Sequence, residues 1–338
     1  MSAIRGSGGL GGLLALAVVA LVALGVALRY GAVAIPLAEL ASAVTGEARG
    51  SVSTIVLDLR LPRVVLGALV GGSLALAGAT FQALLRNPLA EPYVLGVSSG
   101  AAVGAVAAIA AGWAAAAAWT LPAAAFVGAM GAILLVLRIG TRAGGGLDVR
   151  VLLLAGVVAG TFFNACILLL LAFQEADAFR AALFWMMGSL SGAGWGSVAM
   201  LAGAAGVSLV VLVGLARSFD LIAIGEETAV HLGARVERVR ITAYLIASLL
   251  TAAAVVTAGG IGFVGLVVPH AVRMTWGGDH RFLLPASFLA GAAFLPLADL
   301  FARVVVAPGE LPLGVVTAFV GVPFFVWLLR RRTAEVAA

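Results

Sequence analysis

Apolar residues fill this chain in long stretches, separated by short polar ones. A bilayer core about 30 Å thick needs about 20 apolar residues in helical form. Ten stretches approach that length: roughly 10–28, 64–85, 93–111, 120–137, 151–173, 195–216, 241–258, 261–276, 282–299 and 311–329. A run such as VVLGALVGGSLALAGATFQALL at 64–85 suits only a helix, which satisfies its own backbone hydrogen bonds in lipid. The apolar–polar alternation of a transmembrane barrel is absent. The fold class expected is therefore an all-α polytopic membrane protein with ten transmembrane helices in one domain spanning 1–338. The eighth stretch is the weak one, being short and carrying Pro269, His270 and Arg273.

Charge placement argues for keeping that stretch. With ten passes and a cytoplasmic start, six arginines lie outside: Arg29, Arg49, Arg60, Arg63, Arg180 and Arg303. The other fourteen of the twenty basic residues lie inside. Omitting the eighth pass would send the Arg330–Arg332 cluster outside, against the positive-inside rule. Both termini are expected in the cytoplasm. The first stretch, preceded by Arg5, resembles a signal peptide, but it is long and lacks a clear cleavage site, so an uncleaved first helix is expected. Three pieces do not span. Residues 30–63 form an external segment with a short helix. Residues 174–194, with Trp185 near their end and Trp195 just after it, read as an external interfacial helix. Residues 217–240 form a polar inner segment.

Composition agrees with this class, at 63% hydrophobic and 10% charged residues. The net charge of +5 sets topology, and no soluble basic domain that could hold nucleic acid accompanies it. All basic residues are arginine, so a Walker sequence ending in GK[ST] is impossible and the chain holds no ATP by that route. The lone Cys166 excludes an internal disulfide, and His231, His270 and His280 show no metal-ligand spacing. Every Asp and Glu falls at or near a helix end, which weakens a proton-coupled carrier. The forty-four glycines suit close helix packing, with pairs four apart at Gly67/Gly71, Gly100/Gly104 and Gly156/Gly160. Gly259, Gly260, Gly262 and Gly265 cluster where a sharp turn is expected between the seventh and eighth passes.

The inner segment carries EETAVHLG at 226–233, doubly acidic and built of helix-forming residues. Glu226 and Glu227 cannot lie in lipid. Near a helix start they favour the helix dipole, and they can pair with cationic groups on a partner. A pore-forming protein with little chemistry of its own needs an outside source of energy.

At this point the chain resembles the permease subunit of the type II ATP-binding-cassette importers for iron–siderophore complexes, haem and cobalamin. The motifs that carry the resemblance run nearly end to end. They are RLPR at 60–63, FQALLRNPLAEPYVLGVSSGA at 81–101, LLLAG at 152–156, FWMMG at 184–188, EETAVHLG, GGIGFVGLVVPHAVR at 259–273, DHRFLLP at 279–285 and ELPLGVVTA at 310–318. The resemblance implies ten helices per subunit and a homodimer around a central pathway. It also implies two cytoplasmic ATPase subunits that bind ATP and magnesium, an extracytoplasmic binding protein, and a bacterial inner membrane. By the same resemblance, Glu226, Glu227, Ala229, Leu232 and Gly233 contact the ATPase, and Arg60, Arg63 and Arg303 dock the binding protein. Thr161, Asn164, Cys166, Arg180, Met186 and Met187 line or border the pathway. Asn87, Leu89, Val149 and Arg150 belong to the cytoplasmic gate. Asp148, Val149 and Arg150 depart from the small hydroxyl residues of some cobalamin permeases, while FWMMGSLSGAGW and APGELPLG look closer to haem permeases. The chain itself is expected to hold no cofactor or metal, to catalyse nothing and to bind no nucleic acid. A stand-alone secondary transporter or channel, or a structural scaffold, are the competing classes.

Overall fold

The computed structural model describes residues 8–31, 35–45, 51–141 and 146–337; Arg5, Glu47, Arg49 and Arg142 fall outside them. Sixteen α-helices follow in order among the described residues: α1 (Gly8–Arg29), α2 (Leu37–Val44), α3 (Ser51–Thr54), α4 (Leu61–Leu84), α5 (Val97–Ala110), α6 (Trp113–Ala116), α7 (Thr120–Gly140), α8 (Val149–Ala172), α9 (Ala176–Met186), α10 (Trp195–Gly214), α11 (Ala216–Ile224), α12 (Glu226–His231), α13 (Val236–Ala258), α14 (Val264–Trp276), α15 (His280–Val304) and α16 (Leu313–Ala337). A π-helical stretch, Ile55–Arg60, joins α3 to α4, and a 3₁₀ turn, Pro92–Leu95, precedes α5. The single extended pairing among the described residues is a bridge between Thr141 and Leu147.

Among the described residues seven helices are long and apolar enough to cross a membrane: Gly9–Arg29, Val52–Leu84, Thr120–Gly140, Val149–Ala172, Trp195–Gly214, Val236–Ala258 and His280–Val304. The other three expected passes are shorter. Val97–Ala110 and Leu313–Leu328 are apolar helices of lesser length, and α14 has only 13 residues. At 1.5 Å per residue α14 reaches about 20 Å, so it cannot cross a 30 Å core unaided. The reason is local, because its upper end is fixed by the glycine turn before Val264.

Helix α4 is the axis of the bundle, buried along most of its length and packed against α15, α13, α14 and α10. Glycine makes the closest crossing possible. A Cβ on Gly71 would stand 2.2 Å from the Gly291 carbonyl oxygen, and one on Gly291 would stand 2.2 Å from that of Gly71. Likewise α5 and α7 touch through Gly100, Gly104 and Gly128. Of the paired glycines, Gly71, Gly100, Gly104 and Gly156 meet neighbouring backbone, as small-residue packing in lipid requires. Proline inside α14 is accommodated by a neighbour. Pro269 has no N–H, which leaves the Gly265 carbonyl without its helical partner, and Gln82 Nε2 of α4 donates to the Gly265 and Leu266 oxygens at 3.3 Å each.

The 174–194 segment differs from a purely interfacial helix. Helix α9 begins exposed, but Ala182 and Leu190 are buried and Gly188 packs against the turn after α13. The chain continues through Ser189–Gly194 to α10, whose Trp195 Nε1 donates to the Leu57 carbonyl at 3.2 Å.

Candidate functional site

At one end of the bundle, α11 and α12 form a short platform joined by Gly225. Ala229 is fully buried and fixes α12 to the bundle, so it acts as an anchor and presents no surface. Gly233, at φ +83°, closes the helix, with its N–H donating to the Val230 carbonyl at 2.9 Å. The outer side of the platform is apolar, with Ile224, Val230 and Leu232 exposed at 71%, 59% and 58%. Glu227 is exposed beside them. Glu226 is already engaged, since it pairs with Arg240 of α13 and stands 4.0 Å from Arg86 in the turn after α4. The platform is also tied to α15, where His280 Nδ1 lies 2.6 Å from Asp220 Oδ1.

Of the four residues expected at a gate, Val149 and Arg150 lie beside Glu226, whereas Asn87 and Leu89 lie in the turn after α4. A groove of about 340 Å³ is lined by Asp148, Val149, Arg150, Glu226, Glu237 and Arg240, among others. Asp148 caps α8, accepting from Arg150 N at 2.9 Å and Val151 N at 3.3 Å. A small hydroxyl residue at an N-cap does the same work, which gives the Asp148 departure a plain structural reading. Glu237 of α13 accepts from Leu147 N at 2.7 Å and ties the segment before α8 to the start of α13. Asn87 shapes the turn after α4, its Oδ1 accepting from Leu89 N at 3.0 Å. Leu89 packs near Leu266, His270 and Phe324.

Further along the bundle three non-helical pieces meet. Ser189 N donates to the Ala258 oxygen at 2.8 Å, Leu313 N to Gly188 at 3.0 Å and Gly314 N to Met187 at 2.9 Å. The sharp turn expected at the glycine cluster is this junction, with Gly259 at φ +70° and Phe263 at +67°. A Cβ on Gly259 would meet the Trp185 carbonyl oxygen at 2.2 Å, so only glycine fits. Beside the junction lies an open trough of about 670 Å³, lined by Tyr93, Ser98, Met186, Met187, Phe263 and Phe319 with small residues between. Met186 and Met187 both line this trough. Thr161 and Asn164 lie on the exposed side of α8 and Cys166 is half-buried; none of the three lines this trough, and Arg180 is exposed on α9. The α16 residues Phe319 and Val322, which the sequence reading passed over, do line it. Their signal is an apolar helix that leaves Phe319 76% exposed.

The opposite end holds the three arginines. Arg63 Nη2 lies 2.8 Å from Asp299 Oδ1 and 2.8 Å from Glu310 Oε2, while Arg303 Nε lies 2.9 Å from Asp299 Oδ2. Arg303 also donates to the Ala27 carbonyl and Arg60 to those of Leu28 and Arg29. All three thus spend donors inside the fold, tying α1, α4 and α15 together. The Arg63 hydrogen bond holds the Glu310 carboxyl below the usual carboxylate range.

Besides buried Asp299, a half-buried acid in a loop also plays a part that its sequence does not signal. Glu91, in the loop before α5, accepts from Phe263 N, and Tyr93 Oη accepts from Ile261 N. Burial pushes the Glu91 carboxyl up, with the Phe263 amide opposing. Its place in AEPYVLG, five residues from Arg86, made it look like an ordinary loop acid.

A bundle of apolar helices around an open trough, with an exposed apolar platform at one end, is the build of a transport permease. The chain belongs to the FecCD transport family, whose model matches residues 16–331, and it is the permease subunit of an ABC transporter. It is 45% identical to the cobalamin import system permease protein of Halobacterium salinarum over 82% of this chain and 74% of that one. It is 38% identical to the hemin transport system permease protein of Yersinia pestis, over 83% and 84%. A solved metal-chelate type ABC transporter in an inward-facing conformation superposes with a TM-score of 0.84 at 27% identity, covering 94% of this chain and 98% of that one.

Proposed function

We propose that this chain forms, with a second copy, the membrane part of an ATP-driven importer for a large metal chelate. The platform of α11 and α12 carries the reading: exposed Ile224, Val230, Leu232 and Glu227 make an apolar, acidic surface beside the groove of Val149 and Arg150. A cytoplasmic ATPase subunit seats there, binds ATP and magnesium, and passes its closure through Glu226 to Arg240 and Arg86. Seven long helices together with α5, α14 and α16 supply ten passes, and both termini lie on the ATPase side in a bacterial inner membrane. The trough, open on one side, becomes a route when a second copy covers it. Methionines 186 and 187 give that route a soft, adaptable wall. An extracytoplasmic binding protein docks on the rim that Arg60, Arg63 and Arg303 hold in shape.

The cargo is a haem, cobalamin or ferric siderophore. FWMMGSLSGAGW and APGELPLG favour haem, while overall likeness favours the cobalamin relative, at 45% against 38%. A binding panel of the three on the cognate binding protein decides among them. For the importer itself, the chain is reconstituted in vesicles with and without its ATPase. Uptake should require the ATPase, and Glu226→Ala with Glu227→Ala should leave ATP hydrolysis running while uptake falls about tenfold or more. Uptake driven by an ion gradient alone would overturn the proposal.

A further inference from the structure

The loop between α4 and α5 touches both the platform and the wall of the trough. It leaves α4 at Arg86, which takes φ +49° and places Nη1 4.0 Å from Glu226. The next residues are held stiffly: Asn87 N donates to the Gln82 carbonyl at 3.1 Å, and Ala90 N to that of Asn87 at 3.1 Å. Immediately beyond, Glu91 and Tyr93 take the amides of Phe263 and Ile261. Those two amides sit before the first turn of α14, where a helix has no partners of its own to offer them. A carboxylate acceptor makes the stronger kind of hydrogen bond, roughly twice a neutral one. The turn they fix packs tightly against Gly188 and Gly314 beside the trough, and Tyr93 and Phe263 are themselves part of its wall.

From this we infer that Glu91 and Tyr93 are positioning residues which clamp the 259–263 turn to the 86–93 loop, so that movement of α12 at Glu226 is delivered to the trough wall. The inference rests on the reading of α12 as the ATPase contact. A staple that merely stabilises the fold would, when cut, lower assembly, ATP hydrolysis and uptake together. A clamp that transmits motion separates them.

The experiment uses the full transporter in vesicles with its ATPase and binding protein, and reads substrate carried per ATP hydrolysed. Glu91→Ala and Tyr93→Phe should keep ATP hydrolysis within about twofold of wild type while the transport ratio falls about tenfold. Glu91→Gln, which keeps an oxygen acceptor for Phe263 N, should recover most of the ratio. Tyr93→Phe removes one hydroxyl and no packing, so it remains informative if Glu91→Ala assembles poorly. Hydrogen exchange on the permease alone gives the second readout: the Ile261 amide in Tyr93→Phe and the Phe263 amide in Glu91→Ala should exchange about tenfold faster or more. A ratio unchanged in Tyr93→Phe, a proportional fall of hydrolysis and uptake, or unaltered exchange overturns the clamp. If wild-type uptake proves independent of the ATPase, the importer reading fails instead, and the exchange result still reports on the clamp contacts.

Discussion

At the α12 end, Glu226 holds Arg240 and Arg86 yet keeps 46% of its side chain exposed, whereas at the far end Arg63 and Asp299 meet with 13% and 3% exposed. Both are clusters of arginine and carboxylate. The first keeps its carboxylate and Arg86 half-exposed beside unpartnered apolar side chains, with only Arg240 buried. The buried one ties α4 to α15 and loses a great deal if one member goes, because a charge left alone out of water is expensive. Charge on this molecule thus has two uses, told apart only by burial.

The contrast is broken most directly by comparing Asp299→Ala with Glu226→Ala in thermal or denaturant unfolding of the purified permease. The first strands buried Arg303 and leaves Arg63 with Glu310 alone, and should cost about 3–5 kcal/mol. The second should cost less, about 1–3 kcal/mol, because Glu226 is half-exposed although the Arg240 it leaves behind is buried. Equal losses would mean that the platform is as structural as the far end. A smaller effect sharpens the picture at the α12 end. Asp148→Ala removes the cap of α8 and should cost about 1 kcal/mol in the same measurement, with Asp148→Ser restoring most of it; no loss would mean the cap is not what Asp148 provides. The smallest effect concerns Glu310 at the far end. Its carboxyl titrates below the ordinary 4.5 because Arg63 favours the ionised form. The stability it adds is therefore full above 4.5 and is lost as pH falls through the lowered value. Wild type should exceed Glu310→Gln by a few tenths of a kcal/mol at neutral pH, given the partial exposure of Glu310, and the gap should close in acid. A gap that widens in acid would reverse the sign of this interaction.

Much of the fold is legible along the chain because long apolar runs have one solution in lipid. Positions 10–28, 120–137 and 151–173 come within three residues of helix ends at α1, α7 and α8. Helix α14 was harder, since its end is set by a glycine turn and its Pro269 by Gln82, which is far away in sequence. The tie of 187–189 into the bundle was hidden for a related reason: FWMMGSLSGAGW reads as broken and amphipathic whether it lies on a surface or is stitched to Ala258 and Gly314. EETAVHLG announced the platform, but the partners of Glu226 were invisible because Arg86 and Arg240 are neighbours only after folding. Arg63 stands 236 positions from Asp299, and nothing local in RLPR distinguishes an arginine that faces a partner from one that closes a core.

The crossing at Gly71 and Gly291 sets a limit on how this machine can change shape. Where two helices meet through side chains, rotamers can adjust as one rod slides along the other. Here carbonyl faces backbone with no atom in between, so a lengthwise shift of even a fraction of a turn drives a neighbouring Cβ into main chain. Helices α4 and α15 accordingly behave as one stiff beam, and any opening or closing has to be performed by the parts hung from it.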